Sequence, residues 1–233
     1  RDIVSIVKPV AKYAVMVKDP NKLKYELEKA YEKCVSGRMG PVFLDIPMDV
    51  QKANIIVNKL SGFKSNTNKP KFNSTNVRKS IKKYLNDLKK AKRPIFLVGG
   101  GLQLTNNSKE MLKLAKILKI PCIPTWNGLD TITSDFEYYG GRVGTYGGPG
   151  RNFAIQNSDL LFGIGTRVSG RITGGNTNSF AREAKKYIVD IDLPLLKKKF
   201  QQVKFDENIY CDLDLFFEIF FQEIRKIKLS NYN

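Results

Sequence analysis

The chain is 233 residues long, carries a net charge of +18 and has no histidine, which excludes Ser-His-Asp and Cys-His nucleophile schemes and most zinc sites. Cys34, Cys122 and Cys211 are odd in number and far apart, which argues against a disulfide framework and fits a reducing cytoplasm. No apolar run approaches the roughly 20 residues of a membrane span, and the positive excess is mostly lysine on expected helix faces, without an arginine stripe interleaved with aromatics, so neither membrane nor nucleic acid is an expected partner.

The length suits one domain, or one domain with part of another. Arg1-Asp2-Ile3 opens without an initiator Met or a signal-like segment, so the expectation is a piece of a longer polypeptide. Residues 1–18 hold apolar positions without a clean period. Asp19-Pro20 reads as an N-cap with Pro at the first helical position. Leu23, Leu27, Ala30, Tyr31, Cys34 and Val35 follow at helical spacing, and Gly37 closes the helix. Gly40 to Pro47 reads as a short strand bracketed by prolines. One helix and one strand are too little for a domain, so residues 1–50 are expected to be the tail of a larger α/β domain. Residues 51–73, rich in Lys, Asn, Ser and Thr, read as a linker to a domain spanning 74–233.

That domain opens with a helix whose stripe is Val77, Ile81, Leu85 and Leu88, capped by Ser74 or Thr75 and ended before Pro94. Ile95 to Val98 is an unbroken apolar run that stops at Gly99-Gly100-Gly101. Such a run reads as a strand buried on both faces, the habit of a parallel sheet. A helix should follow the glycines, with its N–H groups turned toward a phosphate. Asn107-Ser108-Lys109-Glu110 resembles a capping box for the helix of Met111, Leu114, Ala115 and Leu118. Pro121 to Trp126 is a second short strand, ending at Asn127-Gly128. The least regular stretch is Gly141 to Gly150. Phe153, Ala154 and Ile155 suggest a short helix before the strand Leu160 to Ile164, which ends at Gly165-Thr166-Arg167. Phe180 to Lys186 is helical or a turn, and Tyr187 to Asp192 is a strand. Leu193 to Leu196 is a short helix, and a final strand lies near Ile209-Tyr210. Asp212 caps a last helix with Leu213, Phe216, Phe217, Phe220, Ile224 and Ile227 on its apolar face. Strand and helix alternate throughout, so the expected class is α/β, an open, doubly wound, mostly parallel sheet with helices on both faces.

Ligands of such sheets sit outside the carboxyl ends of the strands, where these glycines fall. Gly99 to Gly101 lacks the third glycine of GxGxxG, since Leu104 stands there. Arg167 and Arg171 could meet phosphate in two-pronged fashion or form surface ion pairs. Asp190 ends a strand where an acidic residue can accept ribose hydroxyls, or it serves as a cap, a role better suited to Asp192. Capping the last helix is the stronger reading of Asp212. No nucleophile stands beside a base and no carboxylates form an evident pair, so the residues alone describe a binding domain.

Ser36-Gly37-Arg38-Met39-Gly40-Pro41-Val42-Phe43-Leu44-Asp45-Ile46-Pro47-Met48-Asp49-Val50-Gln51 resembles the end of the pyrimidine-binding domain of thiamine-diphosphate enzymes of the acetolactate synthase type, and Lys8 to Tyr13 fits the segment upstream. Arg93 to Gly101, Gly144 to Gly147, Asn157 to Leu161 with Gly165 to Arg167, and Val189 to Asp192 look like that family's central domain, in order. The resemblance implies a six-stranded central domain that holds FAD as a largely structural cofactor. By position the matching FAD contacts are Arg38, Gly99, Gly100, Gly101, Thr125, Trp126, Gly128, Gly144, Gly147, Gly165, Thr166, Arg167, Arg171, Asp190 and, more weakly, Asp212. It implies that the complete enzyme decarboxylates a 2-oxo acid on thiamine diphosphate, hands the acyl unit to an acceptor, and forms a homodimer or homotetramer. The family's activating glutamate and its Gly-Asp-Gly…Asn-Asn element for Mg2+ and the diphosphate have no counterpart in this sequence. No catalytic or metal-binding residue is therefore expected here, and thiamine diphosphate and Mg2+ are expected on other parts of the full-length enzyme. Met48 and Tyr146 stand where acetolactate synthases have Lys and His, which looks more like the synthase-like branch. The alternative is a stand-alone nucleotide-binding module without catalysis.

Overall fold

The computed structural model describes residues 2–65, 70–197 and 201–227. The chain divides into two compact units, one up to Lys71 and one from Phe72 onward.

In the first unit, Asp2 caps α1 (Ile3–Val7) by accepting the Ser5 N–H at 3.1 Å. β1 (Tyr13–Met16) pairs in parallel with β2 (Val42–Asp45), in register from Tyr13 opposite Val42 to Met16 opposite Asp45. α2 (Leu23–Val35) packs against both strands. The expected Asp19 cap is present: its carboxylate accepts the Asn21 N–H at 2.9 Å at the head of a 3-10 turn, Pro20–Lys22, that leads into α2. α1 and β1 were not expected. All four β1 residues are half-buried, so the strand offers no alternation to read. α3 (Met48–Lys52) follows β2. Beyond it the polar stretch lies against α2: the Phe63 ring meets Tyr25 edge-on at 5.3 Å, and its N–H donates to Glu28 at 2.6 Å.

The second unit is an α/β sandwich. α4 (Ser74–Leu88) is capped by Asn73, which accepts the Asn76 N–H at 3.0 Å, one residue earlier than the Ser74 or Thr75 expected. Then come β3 (Pro94–Val98), α5 (Gly101–Leu104), α6 (Ser108–Leu118), β4 (Cys122–Pro124), α7 (Pro149–Gln156), β5 (Leu160–Ile164), α8 (Gly170–Thr173), β6 (Lys185–Asp190), α9 (Leu193–Leu196), β7 (Glu207–Tyr210) and α10 (Leu213–Lys226). The sheet order is β4-β3-β5-β6-β7, and every pairing is parallel. The doubly wound α/β class is as expected, with five strands among the described residues where the resemblance implied six. On the outer side of β4, Cys122 donates to Tyr138 O and accepts from Gly140 N–H, both at 2.8 Å, in one isolated parallel bridge. Gly141, at φ +82°, then turns the chain away, so the pairing stops after a single bridge.

Alternation along each strand sends neighbours to opposite cores. Phe96, Val98, Phe162, Ile164, Tyr187 and Val189 pack under α4, α6 and α10. Ile95, Leu97, Leu161 and Ile188 face the other way, onto Ile155 of α7, Phe180, Leu196, Val203 and Phe205. The first core is aromatic at its centre, where Tyr84 of α4 lies 4.7 Å from Phe162 and 5.3 Å from Tyr187. At the amino ends of the strands, Asp159 accepts the N–H groups of Lys92 and Arg93 at 2.7 and 2.9 Å. Two stretches read separately in the sequence, 92–94 and 157–159, are thus tied together ahead of β3 and β5. The capping box at 107–110 does not form. Asn107 is buried, and its amide donates to Asp214 at 2.7 Å and to Thr105 O at 3.0 Å, so it joins α6 to α10 instead of capping α6.

Candidate functional site

β3 starts one step in from the sheet edge. The chain goes outward to β4 and then back past β3 to β5, so the winding reverses between β3 and β5. A crevice outside the carboxyl ends of these two strands is where open α/β sheets bind ligands. β3 delivers Gly99–Gly101 to this place and β5 delivers Gly165–Thr166–Arg167.

The two turns are in backbone contact. The Gly99 N–H donates to Ile164 O at 3.0 Å, and the Gly101 N–H donates to Gly165 O at 3.1 Å. A side-chain carbon at residue 99 would lie 2.1 Å from Gly165 O, and Gly165 itself stands at φ +58°. The glycines are therefore needed first to weld the turns together. The β4 end closes on the same spot: Thr125 donates its N–H to Val98 O at 2.8 Å, and a carbon added to Gly128 would lie 2.8 Å from that carbonyl. Among the described residues, the N–H groups of Gly100, Thr166 and Arg167 have no acceptor. Each lies at or next to the junction.

α5, the helix expected to aim its amides at phosphate, is one turn long, and the Leu102 N–H is taken by Gly99 O at 3.3 Å. Its dipole is correspondingly small. The positive charge near the junction is on Arg167 and Arg171, both exposed and neither paired with a carboxylate among the described residues. The loop 144–147 is anchored beside them. Gly144, at φ +106°, exchanges hydrogen bonds with the Asn152 side chain at 3.0 and 3.1 Å, and the Thr145 N–H donates to Arg171 O at 3.2 Å. Gly147 closes the loop on Gly144 O at 2.8 Å. A cavity of about 220 Å3 opens here, lined among others by Gly144, Thr145, Asn152, Gln156, Arg171 and Phe180.

The structure thus gathers Gly99, Gly100, Gly101, Thr125, Gly128, Gly165 and Thr166 at one junction, with Trp126 and Arg167 next to it. Gly144 and Gly147 lie in the adjoining loop, which is bonded to Arg171 of α8. Asp190 ends β6, beside β5, and its carboxylate accepts the Asp192 N–H at 2.9 Å. Asp212 caps α10 through the Leu215 N–H at 2.8 Å, the stronger of its two sequence readings. Asp192 occupies the N-cap position of α9 without a side-chain cap bond. Arg38 belongs to the first unit, exposed and one residue after Gly37 at φ +55°. Asn152 and Asn127 escaped the sequence reading. An asparagine that clips a loop eight residues away leaves no local signal. Asn127 matters through its carbonyl, 2.4 Å from where a side chain on Gly100 would begin.

The profile of the thiamine pyrophosphate enzyme central domain matches residues 81–218. The chain belongs to this family. Relatives of the central domain include a probable acetolactate synthase large subunit from Methanocaldococcus jannaschii, 33% identical over 199 residues that make up 82% of this chain and 32% of that protein. The acetolactate synthase large subunit of Corynebacterium glutamicum is 34% identical over 208 residues, 87% of this chain and 32% of the relative. Isozyme 2 of Escherichia coli is 31% identical over 191 residues, 82% of this chain and 34% of the relative. The chain spans about a third of the length of these relatives.

Proposed function

We propose that the chain is the central domain, with the end of the preceding pyrimidine-binding domain, of a thiamine-diphosphate-dependent enzyme of the acetolactate synthase type. Its junction between β3 and β5 holds FAD in a structural role. The observation that carries the FAD reading is the junction itself: the N–H groups of Gly100, Thr166 and Arg167 without an acceptor, and Arg167 and Arg171 without a carboxylate partner, among the described residues, at the point where the sheet reverses its winding. The acetolactate synthase relatives support a 2-oxo acid as the substrate of the whole enzyme. When bound, thiamine diphosphate supplies the carbanion-stabilising chemistry. The residues described here hold and orient: Gly100, Thr166 and Arg167 offer amides to the pyrophosphate, Arg167 and Arg171 offer charge, and Asp190 faces a ribose. In the first unit Val17, Ala30 and Val50 are the buried apolar residues among those described, while Ile6, Tyr31 and Met48 are exposed. So thin a core supports reading it as the edge of a larger domain that carries the thiamine chemistry. Thiamine diphosphate, Mg2+ and self-association as a dimer or tetramer belong to that larger protein.

The test is spectroscopic. The purified chain, dialysed against FAD, is expected to retain the yellow cofactor at about one per chain. Colourless protein that ignores added FAD removes the FAD reading. The alternative, a nucleotide-binding module without chemistry, is favoured if the neighbouring coding sequence lacks a Glu-bearing α/β domain before and a Gly-Asp-Gly…Asn-Asn domain after.

A further inference from the structure

The sheet has a second end. The amino ends of its strands lie away from the glycine junction, and lysines crowd the loops that feed them. Lys89, Lys90 and Lys92 stand between α4 and β3, Lys119 between α6 and β4, and Lys204 ahead of β7. All five are exposed, and none pairs its ammonium with a carboxylate among the described residues. The carboxylates at this end are spent within the fold. Asp159 accepts the N–H groups of Lys92 and Arg93 at 2.7 and 2.9 Å, and Asp206 accepts that of Lys186 at 2.7 Å. Asp87 meets Lys185 at 2.7 Å and accepts the Tyr187 hydroxyl, while Glu207 meets Lys83 and accepts the Ser80 hydroxyl at 2.8 Å. Glu183, ahead of β6, faces Arg182 at 3.9 Å. With its acids engaged and its lysines left to solvent, this end of a +18 chain presents an excess of positive charge.

We propose that this amino-end surface is a docking site for an acidic segment of a partner protein, a stretch of chain carrying several Asp or Glu side chains. The surface stands apart from the glycine junction and does not rest on the nucleotide reading. Five strands at roughly 4.8 Å spacing make the edge about 20 Å wide. An extended peptide at roughly 3.3 Å per residue crosses it in about six residues. Lysines suit carboxylates here. An ammonium is a point charge that takes single oxygens from many directions, whereas nucleic acid calls for guanidinium forks and stacked rings. The arginine ahead of β3, Arg93, gives its Nε–H to Asn157 O at 2.6 Å. The exposed aromatic residues among those described, Tyr31, Trp126, Tyr146 and Phe153, all lie outside these loops, so the surface offers neither a base-stacking ring nor an apolar wedge for a bilayer.

The test separates a local surface from the charge of the whole chain. A fluorescein-labelled peptide of about eight glutamates, its glutamine counterpart, a single-stranded DNA of matched length and phosphatidylserine vesicles are each titrated with the 233-residue chain at about 0.15 M salt, where charges further apart than roughly 8 Å are screened. The glutamate peptide is expected to bind and the glutamine peptide is not. Lys89→Glu/Lys90→Glu/Lys92→Glu should weaken the glutamate peptide at least roughly tenfold. Lys18→Glu/Lys22→Glu/Lys24→Glu, three exposed lysines of the first unit, makes the same change in net charge and should weaken it less than about twofold. Should the glutamate variant of the edge melt early, Lys89→Gln/Lys90→Gln/Lys92→Gln carries the comparison, with a loss of the same sign. Equal weakening by the two triple variants, or no binding of the glutamate peptide, overturns the site. Tighter binding of the DNA or of the vesicles, lost with the same three lysines, overturns the acidic-segment assignment.

Discussion

Glycines 99 and 165 carry the site at the scale of single residues. Gly99→Ala would place a carbon 2.1 Å from Gly165 O and 2.6 Å from the Thr166 Cα, both backbone atoms that can yield only if the turns separate. A cost of at least about 2 kcal/mol is expected from urea denaturation. Gly150→Ala and Gly170→Ala, where an added carbon meets nothing within 4 Å, should be near neutral. Equal midpoints for all three would contradict the weld. The glycine run was legible as a turn, but its partner was not, since nothing local says that residues 99 and 165 touch. The cysteines divide as sharply. Burial raises the Cys122 thiol, and burial followed by the charge of Asp212 pushes Cys211 up to about 12. Cys34 is only half-buried. One thiol per native chain is expected to react promptly with a thiolate-specific reagent, and three after unfolding in urea. Prompt reaction of all three in the native state would contradict the burial.

At the scale of elements, α10 is tied to α4 by a buried carboxylate. Glu223, 3% exposed, meets Arg78 of α4, Lys226 at 2.7 Å and Lys82 at 3.8 Å. Burial pushes its carboxyl up, and the hydrogen bonds from Lys226 and Arg78 outweigh that, leaving it below its ordinary value. Asp87, held by Lys185 and Tyr187, and Glu207, held by Lys83 and Ser80, are lowered against burial in the same way. A carboxyl lowered in the folded state stabilises fully above its unfolded value, and the stabilisation fades as pH falls through the folded one. Stability should therefore decline below about pH 4. Glu223→Gln should flatten that decline, and Glu223→Ala should cost about 2 kcal/mol at neutral pH, less than for a fully buried pair because Arg78 keeps contact with water. An acid limb and a midpoint unchanged by Glu223→Gln would show the cluster to be idle. The signal for this residue was in the sequence: 216, 220 and 223 share one stripe, but a glutamate on it reads as solvated. The long helices with clear stripes, α4, α6 and α10, were legible. β1 was not, because four half-buried residues carry no period, and the capping box failed because Asn107 found a better partner across the fold in Asp214.

At the scale of the whole molecule, the α/β class followed from alternating strands and helices, and the sheet edge holding the glycines followed from the rule that ligands sit at carboxyl ends of strands. The strand order, and with it the place where winding reverses, had to come from three dimensions. So did the finding that most of the glycine amides are spent within the junction, leaving the N–H groups of Gly100, Thr166 and Arg167 without an acceptor among the described residues. The central claim is that this junction binds a dinucleotide through those amides and through Arg167 and Arg171. Both arginines are exposed and without a carboxylate partner among the described residues, so replacing them should spare the fold. The most direct measurement is calorimetric titration of FAD into the 233-residue chain and into the Arg167→Ala/Arg171→Ala variant. The account predicts about one FAD per chain and affinity lowered at least roughly tenfold in the variant at equal melting temperature. FAD binding of equal strength in both proteins, or none in either, would contradict it.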